Sequence, residues 1–212
     1  MVLKTIKQRI GTMQMSTNCY VVIDNIQKRA MVIDPIQNVK KILDIINYNN
    51  AVIDYIIITH GHADHIAGLK KIKEVCDAKI CIHRLDVDGL SNQDKNLCEI
   101  VGIDNPNIEP EVLLEENDVI TVGSLRFRVI HTPGHTEGSI CLYSEGILFS
   151  GDTLFKRAWG RTDLPSSNFP QIIDSIDNKL MILPDDTIVY PGHGRVTVLK
   201  DEKKIYLNLE PY

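Results

Sequence analysis

Four side chains able to bind a divalent cation stand within the six-residue run His60-Gly61-His62-Ala63-Asp64-His65. Imidazole and carboxylate are the donors that borderline divalent ions take. Along an extended segment His60 and His62 point to one side. Asp64 and His65 follow where the chain turns toward a helix, whose N-terminus favours a carboxylate or a bound anion. Four donors so close together cannot all reach one tetrahedral ion. The run therefore predicts two adjacent ions, with His60 and His62 on one and Asp64 and His65 on the other. Three further donors stand in Gly- or Pro-rich turns, which bring a loop sharply off a strand. They are His135 in Thr132-Pro133-Gly134-His135-Thr136, Asp152 in Ser150-Gly151-Asp152-Thr153, and His193 in Pro191-Gly192-His193-Gly194. His131 and His83 read as structural or supporting residues and not as ligands.

The elements that must position these residues follow from hydrophobic periodicity. Asn18–Asp24 and Ala30–Asp34 read as two strands of a meander, the second ended by Pro35. Val39–Tyr48 fits one helical face, and Ile53–Thr59 is a largely apolar strand that runs into the histidine run. Ile66–Val75 reads as a helix with Leu69, Ile72 and Val75 inward, and Lys79–His83 as a short strand. Arg84–Pro110 has weak periodicity and reads as a loop-rich, partly helical excursion. Val112–Leu114, Val119–Val122 and Leu125–His131 read as strands. Ser139–Tyr143 and Ile147–Ser150 form a hairpin about Glu145-Gly146. Phe169–Leu183 is an amphipathic helix, Thr187–Tyr190 a strand and Asp201–Leu209 a last short helix.

Composition narrows the function classes. The 212 residues carry a formal net charge of -5, with scattered lysines and arginines. That distribution leaves no footprint for nucleic acid or an anionic membrane surface. No run approaches the ~18 apolar residues of a membrane span, and Met1–Gly11 lacks the features of a signal peptide. Cys19, Cys76, Cys81, Cys98 and Cys141 form no Cys-x-x-Cys pair and read as reduced, buried thiols of a cytoplasmic protein. No Gly/Ser linker or charge block divides residues 1–212, so a single domain is expected.

The ordered set THGHADH, TPGHT, SGDT and PGHG resembles the metallo-β-lactamase superfamily. More narrowly, it is similar to short, single-domain hydroxyacylglutathione hydrolases (glyoxalase II). The resemblance implies an α+β fold, the αβ/βα four-layer sandwich of two packed mixed sheets flanked by helices. It implies one metal on His60, His62 and His135, a second on Asp64, His65 and His193, and Asp152 bridging both. Zinc suits these donors, and iron or manganese also fits. Two ions sharing a water lower its pKa from 15.7 to about 7, giving a hydroxide nucleophile without a Ser-His-Asp relay. A thioester suits such a site, because a thiolate leaves without full protonation. Asp64 and Asp152 are the catalytic candidates, Asp64 orienting the hydroxide.

The segment after Asp152 contains Gly160-Arg161-Thr162-Asp163, similar to a stretch in those short hydrolases and in persulfide dioxygenases. Arg161, with Lys156 or Arg157, can hold a substrate carboxylate through a charge-assisted fork, and Trp159 can wall the pocket. An Arg161–Asp163 pair that shapes the loop, with Trp159 packed ordinarily, is the competing expectation. Full-length glyoxalase II carries a helical C-terminal glutathione-binding domain that is not expected here. The expected partner is therefore a small thioester or ester, with no nucleic acid or membrane and with the oligomeric state open. The rival readings are a mononuclear iron persulfide dioxygenase and a metal-binding family member without catalysis. Metal content and oxygen uptake discriminate the first, and a thioester panel the second.

Overall fold

The computed structural model describes residues 1–206. The first sheet contains β1 (Val2–Arg9), β2 (Ser16–Asp24), β3 (Arg29–Ile33), β4 (Val52–Ile57), β5 (Lys79–His83) and β6 (Val112–Leu114), in that spatial order. It is antiparallel from β1 to β3 and parallel from β3 to β6. The strands that follow are β7 (Val119–Val122), β8 (Leu125–His131), β9 (Ile140–Ser144), β10 (Ile147–Gly151), β11 (Leu154–Phe155), β12 (Ala158–Trp159), β13 (Ile188–Pro191) and β14 (Thr197–Val198). β11 and β12 pair with each other, and the others form a second sheet in the order β14-β13-β10-β9-β8-β7. Helices α1 (Val39–Tyr48), α2 (Ala63–Ile66) and α3 (Leu69–Lys73) fill the first sheet's connections. They are followed by a 3-10 helix over Arg84–Leu90, α4 (Gln93–Asn96) and α5 (Cys98–Val101). α6 (Phe169–Ser175) and α7 (Leu199–Tyr206) complete the set.

The period-2 alternation of the strands reads out as layers. Tyr20, Val22, Met31, Ile33 and Ile57 of the first sheet meet Phe127, Val129, Ile140, Leu142 and Phe149 of the second in one inner core. Their neighbours Val21, Ile23, Val32, Ile56 and Ile80 turn outward and bury Ile42, Ile46, Ile66, Leu69 and Ile72 of the helices. On the far side, Ile130, Cys141, Leu148 and Val189 pack against Ile172, Ile176, Leu180 and Leu199. Helix, sheet, sheet, helix is the expected αβ/βα sandwich. Asn38 caps α1 by accepting from the Lys41 N–H at 3.2 Å, and α1 buries Val39, Ile42 and Ile46.

Several elements differ from the periodicity. β1 carries no clear periodicity, because Ile6 is its one fully buried position and gives no alternation to read. The helix expected over Ile66–Val75 is broken at Gly68. There the N–H donates to the Pro35 carbonyl at 2.7 Å, and an added Cβ would lie 2.0 Å from the Ile36 oxygen. Val75 is correspondingly 58% exposed rather than inward. The helix expected over Phe169–Leu183 passes into a π-turn at Ile176–Leu180. The wider turn keeps Ile172, Ile176 and Leu180, four apart, on one apolar face. Cys76 is only partly buried, whereas the other four cysteines are buried and all five are free thiols. The last helix begins at Leu199, and the portion expected over 207–209 lies outside the described residues. Among the described residues no helix is long and apolar enough to cross a membrane.

Phe127 is fully buried between the sheets, 6.2 Å from the Phe149 ring. Phe127→Ala should destabilise the protein by about 3–5 kcal/mol, the cost of lost transfer energy plus an inter-sheet cavity. Urea unfolding followed by circular dichroism checks this, with a lower midpoint expected at unchanged slope.

Candidate metal centre

The strand pairing brings the donors to one edge. β3 and β4 are parallel with Ile33 opposite Ile57, so Asp34 and the segment leading to His60 leave the sheet side by side. β10 and β13 are parallel with Gly151 opposite Pro191, so Asp152 and His193 do the same in the second sheet. The two sheets are joined there, where the Ile140 N–H donates to the Thr59 carbonyl at 2.9 Å. His135 enters from the connection between β8 and β9, and α2 carries Asp64 and His65 in its only turn.

All seven predicted donors are buried. They form three overlapping groups whose donor atoms lie within 4.8 Å of one another: His60/His62/His135, His60/His65/Asp152 and Asp64/His65/His193. Asp152 stands between the two halves. Its Oδ1 is 3.4 Å from His65 Nε2, and its Oδ2 is 3.6 Å from His135 Nε2 and 3.3 Å from His193 Nε2. His193 Nε2 is also 3.2 Å from Asp64 Oδ2.

Three of the imidazoles are aimed by their other nitrogen. His65 Nδ1 faces Asp34 Oδ2 at 2.8 Å, His135 Nδ1 donates to the Arg161 carbonyl at 2.8 Å, and His193 Nδ1 donates to the Ser16 carbonyl at 3.0 Å. A proton fixed on the outer nitrogen leaves the inner lone pair free for a cation, as in metal-binding histidines generally. Thr17 Oγ1 likewise donates to Asp64 Oδ2 at 2.5 Å. Sequence reasoning missed Asp34. Its carboxylate also accepts from the Thr59 N–H at 2.8 Å and the Thr59 hydroxyl at 2.7 Å. The signal was present as a carboxylate closing the apolar strand before Pro35, since a buried charge requires partners.

The residues fit a pair of divalent ions on the evidence of their own unsatisfied atoms. His60 Nε2, His62 Nε2 and Asp152 Oδ1 are buried with no hydrogen-bond partner among the described residues. His62 Nδ1 lies 2.9 Å from His135 Nε2. Two imidazole lone pairs at that separation repel unless a proton or cation lies between them. Buried His/Asp groups of this kind suit a dinuclear site.

Charge divides the centre in two. Burial, followed by repulsion from neighbouring imidazoles, holds His60 well below its ordinary value; burial and His135 bring His62 down to about 3. Burial also pulls on His65, but Asp64, Asp152 and Asp34 outweigh it and lift the group to about 9. At His193, Asp152 and Asp64 overcome burial and lift the group to about 11. Burial alone would raise Asp64 and Asp152, yet the attraction of His65 and His193 keeps both below the usual carboxylate range. Without an ion, the imidazolium charges on His65 and His193 therefore face the carboxylates of Asp34, Asp64 and Asp152.

The proposed substrate residues are placed differently. Arg161 forks onto Asp163 with both contacts at 2.7 Å, and the two side chains are 62% and 69% exposed. Lys156 is exposed, and Trp159 is half-buried 6.1 Å from the Phe169 ring. Phe155, which sequence reasoning did not single out, sets its ring edge-on to His193 at 5.8 Å. The hairpin carrying it is anchored by fully buried Glu202, which accepts from the Arg157 N–H at 2.7 Å and Thr197 Oγ1 at 2.6 Å. His83 and His131 stand outside the donor groups, stacked with ring centroids 4.0 Å apart.

Metal uptake must displace the protons on His65 and His193, because an ion binds neutral imidazole. Below pH about 9 both are protonated in the ion-free form, so affinity should rise with pH, most steeply below that point. Calorimetric zinc titration at pH 7 in buffers of different ionisation enthalpy should show release of about two protons per chain. Release of none would contradict this charge balance.

Comparison with known proteins agrees with the geometry. The family model described as the metallo-beta-lactamase superfamily matches residues 13–193. The chain is 40% identical over 151 residues to an uncharacterized protein of Aquifex aeolicus, covering 70% of this chain and 71% of that one. It is 30% identical over 200 residues to hydroxyacylglutathione hydrolase GloC of Haemophilus influenzae, covering 88% of this chain and 90% of that one. Among solved structures, the BLEG-1 B3 metallo-beta-lactamase superposes with a TM-score of 0.86 at 30% identity, covering 96% of this chain and 97% of that one. TTHA1623 in a di-iron-bound form superposes with a TM-score of 0.79 at 29% identity, covering 93% and 98%. The fold, the ordered motifs and these likenesses agree: the chain belongs to the metallo-β-lactamase superfamily.

Proposed function

We propose that this protein is a binuclear metal-dependent hydrolase that cleaves a small thioester. The observation that carries the reading is Asp152. This buried carboxylate has one oxygen facing His65 and the other facing His135 and His193, so it can serve ions on both sides. Divalent ions bound there supply Lewis acidity, activating water near neutral pH and polarising a carbonyl.

The chain's own residues supply the rest. His60, His62 and His135 offer three imidazole donors and no carboxylate, so this set brings no negative charge against a substrate carbonyl. Asp64, fixed by Thr17 and close to His193, places a carboxylate where it can orient an attacking water and accept a hydrogen bond from it. Phe155 beside His193 provides an apolar wall for the acyl or thiol portion. Lys156 and Arg161 are the proposed contacts for the acidic end of the substrate, with Trp159 flanking them. Arg161 would exchange its fork on Asp163 for a substrate carboxylate, and its carbonyl also anchors His135.

The likeness to GloC spans 90% of that protein and supports a hydroxyacylglutathione thioester as the first substrate to test. The likeness to a di-iron-bound structure supports iron beside zinc as the ion to load. Metal-loaded protein should carry about two ions per chain and hydrolyse a hydroxyacylglutathione thioester, with release of thiol followed by a colorimetric reagent. Asp152→Ala should lose most of the metal and nearly all turnover. Full metal content with near-normal turnover in that variant would remove the bridging assignment. One iron per chain with oxygen consumption in place of hydrolysis would overturn the reaction class.

A further inference from the structure

Asp86 belongs to none of the donor groups, yet it joins two of the segments that carry them. It lies in the 3-10 helix Arg84–Leu90 and is 6% exposed. Its Oδ1 accepts from the Gly138 N–H at 2.7 Å, and its Oδ2 accepts from the Gly61 N–H at 2.9 Å and the Thr136 hydroxyl at 2.7 Å. Gly61 separates His60 from His62, and Thr136 follows His135. One carboxylate therefore ties together the two loops that supply the triad His60, His62 and His135. The contact is close as well as polar: a Cβ on Gly61 would lie 2.8 Å from Gly89 Cα in the same 3-10 helix. Burial pushes the Asp86 carboxyl above its ordinary range, while its three donors pull the other way. A buried carboxylate that kept fewer donors would be costly.

The other triad has separate supports. His65 rests on Asp34, His193 on the Ser16 carbonyl and Asp64 on Thr17. Asp86 bonds to none of these residues. We infer that Asp86 is a positioning residue that sets the affinity of one ion site, that of His60, His62 and His135, and leaves the affinity of the other unchanged. Its lever is the spacing of His135 Nε2 from His62 Nδ1, 2.9 Å, which the two loops must keep for both nitrogens to face one ion. This inference rests on the binuclear reading proposed above.

Asp86→Asn tests it, because the amide places an NH₂ against the Gly138 N–H, donor facing donor. Chelator-stripped protein is titrated with zinc against a chromophoric competitor, and bound zinc is measured by elemental analysis. Wild type should take up two tight ions. D86N should keep one and bind the second about 10–100-fold more weakly, the usual effect of removing a group that orients ligands. His193→Ala should also keep one tight ion, the one on the triad that Asp86 supports, and the double variant D86N/H193A should keep none. Far-UV circular dichroism of each variant should match wild type. If D86N is insoluble, Thr136→Val removes one of the three donors and should weaken the same ion several-fold; no weakening would count against the inference. D86N binding two tight ions, or losing both while still folded, overturns the role of Asp86 and leaves the binuclear reading intact. A wild type that takes up one ion or none overturns the binuclear reading, and this inference with it.

Discussion

Imidazole and carboxylate groups crowded into a dry space repel one another and lose their hydration, and each must be held by something outside the crowd. Here the holding groups are specific. The outer nitrogens of His65, His135 and His193 are engaged by Asp34, the Arg161 carbonyl and the Ser16 carbonyl. Asp64 is engaged by Thr17, and the loops behind His60, His62 and His135 by Asp86. Two of the inner nitrogens and one Asp152 oxygen are left without a hydrogen-bond partner among the described residues. The arrangement gives up local satisfaction in the middle to concentrate donor atoms there, and the hydrogen bonds of the surrounding groups hold it in place.

The sandwich follows from that requirement. Parallel pairing of β3 with β4, and of β10 with β13, sends successive strand ends to the same edge. The inner core of Tyr20, Met31, Ile33, Phe127 and Phe149 then fixes the distance between the sheets. A shift in the facing of either sheet would separate His135, Asp152 and His193 from His60, His62, Asp64 and His65. The precision of the centre therefore depends on apolar packing, although none of the donors is apolar.

Much of this was legible in the residues themselves. The motifs around His60, His135, Asp152 and His193 were readable because turn chemistry and donor type coincide there. The two-sided strands were readable because alternation is a local property. What escaped notice depends on partners distant in the chain. β1 is a strand because β2 pairs with it, although Lys4, Thr5 and Lys7 leave it little hydrophobic signal. The break at Gly68 is set by the Pro35–Ile36 backbone, and the π-turn by the need to keep Ile176 and Leu180 against the second sheet. Asp34 and Asp86 look like ordinary acidic residues until the fold buries them against Thr59, His65, Gly61 and Thr136. Arg161 was read for its side chain, while its carbonyl is what reaches His135.

Each of the three donor groups draws on both sheets: His60 and His62 with His135, His60 and His65 with Asp152, and Asp64 and His65 with His193. A cation held by any of them is a rivet driven through both layers, and it favours the folded form, where donors distant in the chain meet. Its binding energy then adds to folding stability, about 2.7 kcal/mol for an ion at a hundred times its dissociation constant. Scarcity of the metal would thus loosen the protein as a solid object, exposing the inner core to proteases and aggregation. The cellular lifetime of the chain would follow the supply of the ion as closely as its chemistry does.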